Sequence, residues 1–186
     1  MFLTLPTLLT WARIVAIPLI VGVFYLDVIS QAERNLVATV LFVVVALTDW
    51  LDGYLARKLN QTSSFGAFLD PVADKFLVCS SLLILLELGR VNAFVALVIV
   101  GREIAISALR EWMAQLGKHG RVAVSMVGKI KTTAQMVALL LLLYREPLGF
   151  FPTLDAGLIL LVIAAALTLW SMLHYLMAAW SVLKHE

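Results

Sequence analysis

A chain of 186 residues, 62% hydrophobic and 14% charged, has the length of one domain but too few charges to cover a soluble one. Its mean hydropathy of +1.00 marks an integral membrane protein. A formal net charge of +2 gives no basis for nucleic-acid binding, and a single cysteine, Cys79, excludes an internal disulfide and reads as packing.

The amino terminus, with Pro6, Thr7, Trp11 and Arg13, predicts a short interfacial segment, since Trp11 and Arg13 suit the headgroup layer. A first apolar span covers about 12–26, with Pro18 as a possible kink. No small-residue cleavage site follows it, so a retained helix is expected. After a polar turn at 30–34, a second span begins near 35, and its last turns carry Asp49, Asp52, Gly53, Ala56 and Arg57. The polar run 58–64 is a loop. A third span, 65–88, opens with Gly66, Asp70 and Asp74, and Pro71 lies where a missing amide is best tolerated. A turn at 89–92 leads to a fourth span, 93–115, with Glu103, Ser107 and Arg110 on one inward stripe. A basic loop at 117–121 and a fifth span at 122–144 follow, the latter opening with Gly128, Lys129, Lys131, Thr132 and Gln135. The loop 145–155 and a sixth span, 156–183, complete the chain. The expected fold is an all-α bundle of six transmembrane helices, a single domain over 1–186.

Six spans place both termini on one side. That side would hold Arg13, Arg57, Lys58, Lys118, Arg121, Lys129, Lys131 and Lys184, against Arg34, Arg90 and Arg145 on the other. The positive-inside rule then puts both termini and the acid cluster at the cytoplasmic face of the membrane.

Asp49 and Asp52 are spaced i, i+3 and Asp70 and Asp74 i, i+4, so each pair shares a helix face. Antiparallel neighbours joined by a short loop bring all four acids to one depth. Four unpaired carboxylates in a low-dielectric setting would repel and take up protons. One or two divalent cations remove that difficulty, and Mg²⁺ is held by few carboxylates together with phosphate oxygens. Helix placement suggests Asp49 and Asp70 as bridging ligands, with Asp52 on one ion and Asp74 on the other. An aspartate at the edge of such a site can also act as a base. The competing reading is surface charge at helix ends, against which stands the cost of ionisable groups inside spans. Thr48 and Thr62 could reach a nucleotide or simply bond to the helix backbone.

A second, cationic group comprises Arg110, Lys129 and Lys131, with Arg121 in the intervening loop. It suits a second anionic substrate, while topology or contact with anionic headgroups is the alternative. A divalent-cation transporter would need polar residues in both halves of the bundle, and here they crowd one half. A prenyltransferase would need clustered aspartates such as D-D-x-x-D, which the chain lacks.

The stretch from Asp49 to Asp74 resembles the signature of the CDP-alcohol phosphatidyltransferase family, D-x₂-D-G-x₂-A-R-x₈-G-x₃-D-x₃-D, with every spacing met by Asp49, Asp52, Gly53, Ala56, Arg57, Gly66, Asp70 and Asp74. The resemblance implies a six-helix membrane enzyme, a homodimer, dependent on two Mg²⁺ ions with Mn²⁺ as a substitute. It implies Asp49, Asp52 and Asp70 on one ion, and Asp49, Asp70 and Asp74 on the other, with Asp74 also the catalytic base. Asp52, Gly53, Ala56, Arg57 and Thr62 would bind the CDP donor. Four further stretches resemble the branch of the family that takes sn-glycerol 3-phosphate as acceptor and CDP-diacylglycerol as donor. They are Leu5-Pro6-Thr7 with Leu9, Thr10 and Arg13; residues 65–75; Gly101-Arg102-Glu103; and Gly128-Lys129 with Lys131, Thr132 and Gln135. Arg110, Lys129, Lys131 and Arg121 would then bind the acceptor phosphate. The opening motif usually reads Leu-Pro-Asn, so no contact is carried over to Thr7. Branches making cardiolipin or phosphatidylserine are the nearest alternatives.

Overall fold

The computed structural model describes residues 5–58, 64–115 and 126–183. For 5, 6, 50, 52–57, 64, 110, 126–129, 175 and 178–183 it describes the backbone alone. The described residues form six long helices: α1 (Leu5–Gly22), α2 (Gln31–Lys58), α3 (Ser64–Glu87), α4 (Ala93–Gln115), α5 (Met126–Tyr144) and α6 (Thr153–Leu183). A short 3₁₀ turn, Val23–Tyr25, follows α1. No strand occurs among the described residues.

Local chemistry explains where the helices start and stop. Ser30 and Glu33 form a capping box at the start of α2: the Ser30 amide donates to Glu33 Oε2 at 2.8 Å, and the Glu33 amide to Ser30 Oγ at 3.3 Å. Helix α2 therefore begins at Gln31, earlier than the span expected near 35. Asn92 caps α4 by accepting from the Phe94 amide at 2.8 Å. Helix α3 ends in a Schellman motif, in which Gly89 (φ +67°) and Arg90 donate to the carbonyls of Leu86 and Leu85 at 3.0 and 2.8 Å. Helix α6 begins at Thr153, also earlier than expected. The buried Thr153 hydroxyl lies 2.8 and 2.9 Å from the carbonyl oxygens of Arg145 and Glu146, which ties the helix start to the preceding loop.

Helix α1 packs on α2 and α3, α4 packs on α3 and α6, and α5 packs on α2, α3 and α6. The shared core includes Ile17, Ile20, Phe42, Leu82, Leu85, Ile99, Leu139, Leu142 and Leu161, each at most 2% exposed. The outward faces are apolar as well: Val15, Leu19, Leu47, Leu83, Leu97, Ile104 and Ile159 are exposed. An apolar exterior around an apolar core suits lipid rather than water. Thr7–Tyr25, Gln31–Asp49 and Thr153–His174 are long and apolar enough to cross a bilayer, and Ile130–Tyr144 is a shorter apolar stretch.

The amino-terminal expectation changes. Residues from Leu5 are continuous with α1, so the helix starts before the span expected at 12–26. Trp11 is exposed and stacks on Phe65, but Arg13 is 2% exposed and sits inside the bundle. Its burial has an electrostatic cause, the acids on α2 and α3.

At the far end of α3 from those acids, Arg90 forms a second buried polar cluster. Its guanidinium donates to the carbonyls of Leu142 and Leu143 at 3.0 and 2.9 Å and to Asn35 Oδ1 at 2.6 Å. These are carbonyls of the last turn of α5, which have no helical partner. Asn35 in turn donates to Glu146 at 3.0 Å. The cluster fixes α2, α5 and the α3–α4 turn to one another.

Candidate functional site

The acids at the start of α3 meet the late turns of α2 and the first turns of α1. Arg13 Nη1 lies 2.6 Å from Asp49 Oδ1 and 3.0 Å from Asp74 Oδ1, so two carboxylates converge on one nitrogen. Thr10, one turn before Arg13 and buried, donates to Asp70 Oδ1 at 2.8 Å. Of the four predicted acids, Asp49 and Asp74 are therefore brought together, and Asp70 stands beside them on the Thr10 side. Asp52, Gly53, Ala56 and Arg57 lie on the α2 backbone within the following turns, and their side chains are outside the described residues. Thr62 and Arg121 lie outside them altogether.

Asp49 and Asp74 form one side of a cavity of about 450 Å³. The other walls come from α4, α5 and α6 and include Arg102, Glu103, Ser107, Lys131, Gln135 and Ser171. Lys131 is 3% exposed and Arg102 7%, so both cations are held inside the bundle rather than at its surface. Arg102 pairs with the adjacent Glu103, and its Nη2 lies 3.4 Å from Ser171 Oγ. A chamber lined by both carboxylates and cations can take a ligand carrying both metal-bound and free phosphate. Of the predicted cationic group, Lys131 lines this chamber. Arg110 and Lys129 fall on α4 and α5 with their side chains outside the described residues.

The donor set suits a hard divalent cation. Carboxylate oxygens are the ligands such an ion takes, and the Arg13 guanidinium occupies the point on which Asp49 and Asp74 converge, acting as a stand-in positive charge. Among the described residues no three acidic, histidine or cysteine side chains close on a single point.

Three residues of the site carried no role in the sequence reading. Arg13 looked interfacial because Trp11 lies beside it, yet i, i+3 spacing from Thr10 puts both on one face of α1. Arg102 and Gln135 stood only as parts of local motifs. Their periodic signal was present, since Arg102 to Ile106 and Lys131 to Gln135 are i, i+4 pairs of one buried face. Weaker candidates settle on local bonds: Thr48 and Ser107 donate back to the carbonyls of Val45 and Glu103, and Lys75 Nζ lies 3.3 Å from the Pro71 carbonyl.

A profile described as CDP-alcohol phosphatidyltransferase matches residues 3–179. A curated relative from Salmonella choleraesuis (strain SC-B67), named CDP-diacylglycerol–glycerol-3-phosphate 3-phosphatidyltransferase, is 51% identical over 177 residues, 94% of this chain and 94% of the relative. A relative of the same name from Escherichia coli (strain K12) is 52% identical over 177 residues, again 94% of each. With Asp49 and Asp74 of the signature lining one cavity and the match spanning nearly its whole length, the chain belongs to the CDP-alcohol phosphatidyltransferase family.

Proposed function

We propose that this protein transfers the phosphatidyl group of CDP-diacylglycerol to sn-glycerol 3-phosphate, releasing CMP and forming phosphatidylglycerophosphate, a precursor of phosphatidylglycerol and cardiolipin. The observation that carries this reading is the cavity with two kinds of wall. Asp49 and Asp74 line it from α2 and α3, and the buried cations Arg102 and Lys131 line it from α4 and α5. A donor diphosphate and a separate acceptor phosphate call for that division. The names of the relatives point to the same pair of substrates.

In this reading the Asp74 carboxylate accepts the proton of the acceptor's 1-hydroxyl. The oxygen attacks the phosphorus that bears diacylglycerol. The bond from that phosphorus to the CMP oxygen breaks, and CMP leaves with the electron pair. Asp52, Gly53, Ala56, Arg57 and Thr62 hold the CDP moiety, while Lys131, with Arg110, Lys129 and Arg121, holds the acceptor phosphate. Two Mg²⁺ ions, on Asp49, Asp52 and Asp70 and on Asp49, Asp70 and Asp74, would supply Lewis-acid stabilisation of the diphosphate charge.

All six helices are taken to span the inner, cytoplasmic membrane, with both termini and the acids on the cytoplasmic side, in a homodimer. Arg13 and Lys131 are internal, as is Arg90 on the opposite side. Without them the charge bias is still six cations against two.

Purified protein given CDP-diacylglycerol, Mg²⁺ and one acceptor at a time, with CMP release as the readout, tests the reading. Turnover with glycerol 3-phosphate is expected. Turnover with serine or phosphatidylglycerol, and none with glycerol 3-phosphate, would overturn it.

A further inference from the structure

Buried polar atoms in folded proteins almost always have a partner, so the exceptions carry information. Two of them line the same cavity: Gln135 Oε1 and Arg102 Nε are buried without a hydrogen-bond partner. Both residues are more than nine-tenths buried, at 3% and 7% exposure. The other Arg102 nitrogens are engaged, by Glu103 and Ser171, which fixes the guanidinium and leaves Nε as an unmatched donor. Gln135 stands one turn after Lys131 on the same buried face of α5, with the exposed Ile130 and Val137 on the outer face. The residues lining the cavity thus include a buried cation, an unmatched donor and an unmatched acceptor. Ser81, Arg90 and Thr168 also have unmatched atoms, but none of them lines the cavity.

An amide oxygen accepts and never donates. A phosphate oxygen or a ketone brought against it would leave both acceptors unsatisfied, whereas a hydroxyl satisfies it. Resting on the acceptor reading above, glycerol 3-phosphate has two hydroxyls, and the attacking one is committed to Asp74. We propose that Gln135 Oε1 accepts a hydrogen bond from the 2-hydroxyl of the acceptor. Gln135 is then a specificity-determining residue that selects a polyol monophosphate with a hydroxyl between its attacking hydroxyl and its phosphate.

The test measures CMP release by the full chain with CDP-diacylglycerol, Mg²⁺ and one of three acceptors. These are glycerol 3-phosphate, 3-hydroxypropyl phosphate, which lacks only the 2-hydroxyl, and dihydroxyacetone phosphate, which has a ketone there. A buried acceptor left unpaired should make the unsubstituted protein favour glycerol 3-phosphate by about tenfold to hundredfold in kcat/KM over either analogue. In Gln135→Leu, and in the near-isosteric Gln135→Met, that ratio should fall to within about threefold. The fall comes from loss on glycerol 3-phosphate, with the KM for CDP-diacylglycerol unchanged. A merely structural role would lower all three acceptors together and leave the ratio intact. Equal use of the three by the unsubstituted protein, or an unchanged ratio in a folded variant, overturns the assignment even if either variant alone fails to fold. Absence of CMP release with all three phosphates, beside turnover of serine, would instead overturn the acceptor reading and this assignment with it.

Discussion

Replacing Arg13 by glutamine removes a guanidinium whose side chain is wholly buried and whose Nη1 contacts Asp49 at 2.6 Å and Asp74 at 3.0 Å. Hydrogen bonds to charged groups contribute roughly 1.5–3 kcal/mol each, so the pair is worth about 3–6 kcal/mol before screening. The carboxylates are 46% and 56% exposed, and water re-solvates them once the cation is gone. That exposure roughly halves the figure, leaving a loss of about 1.5–3 kcal/mol, or roughly 3–12 °C in melting temperature for a chain of this length. The variant also leaves two adjacent carboxylates without a cation, and added Mg²⁺ should compensate for that. The assay is thermal unfolding in detergent, once with a chelator and once with millimolar Mg²⁺. Arg13→Gln is expected to lose most in chelator and to regain half or more of the loss in Mg²⁺, while the unsubstituted protein gains less. Arg13→Lys, which keeps the charge, should fall between the two. The reasoning is refuted if Arg13→Gln melts within about 1 °C of the unsubstituted protein in chelator, or if Mg²⁺ stabilises both equally.

Lys131→Ala should raise the KM for glycerol 3-phosphate by about tenfold or more and leave that for CDP-diacylglycerol within about twofold, because removing a buried cation removes binding of one phosphate only. Steady-state kinetics with each substrate varied in turn checks it. Arg90→Met strips the last carbonyls of α5 and Asn35 of their donor and should cost about 2–4 kcal/mol, seen as earlier unfolding in denaturant. Burial, with a smaller effect from Arg145, lowers the Arg90 guanidinium to about 10. A base depressed in the folded state destabilises by a constant amount below that value, and the penalty is relieved only as pH rises from there towards the ordinary guanidinium range. The stability difference between Arg90→Met and the unsubstituted protein should thus be flat between about pH 6 and 9. Gly157→Ala sets two effects against each other: a helix-propensity gain of about 1 kcal/mol and a new Cβ only 2.9 Å from Leu142 Cγ. Leu142 is fully buried, so overpacking of about 1–3 kcal/mol should win. A variant more stable than the parent would show that the α5–α6 contact can open.

Helix count and type were legible because apolar runs and polar breaks are local features. Asp49, Asp70 and Asp74 announced themselves as carboxylates inside apolar spans, where charge is costly enough to signal function. Boundaries were less legible: the capping box of Ser30 and Glu33 and the Schellman turn at Gly89 were present in the sequence, yet apolar content alone starts α2 and α6 several residues late. Arg13 was misplaced for a different reason. A cation near a helix end beside a tryptophan has the composition of an interfacial anchor, and only the packing of α1 against α2 and α3 shows that Asp49 and Asp74 claim it.

By itself the sequence determined a helical membrane protein with an acid signature on its second and third helices and a set of cations further along, because hydropathy and i, i+3 and i, i+4 spacing are properties of the chain alone. It could not determine which charges meet. Thr10 and Asp70 are 60 residues apart and Arg13 and Asp74 are 61 apart, and Arg102 meets Ser171 across 69. The direction and depth of helix packing decide such pairs, and they decided that Lys131, Arg102 and the unmatched oxygen of Gln135 share a cavity with Asp49 and Asp74. A buried atom without a partner is defined by everything around it, so only the tertiary structure could reveal it.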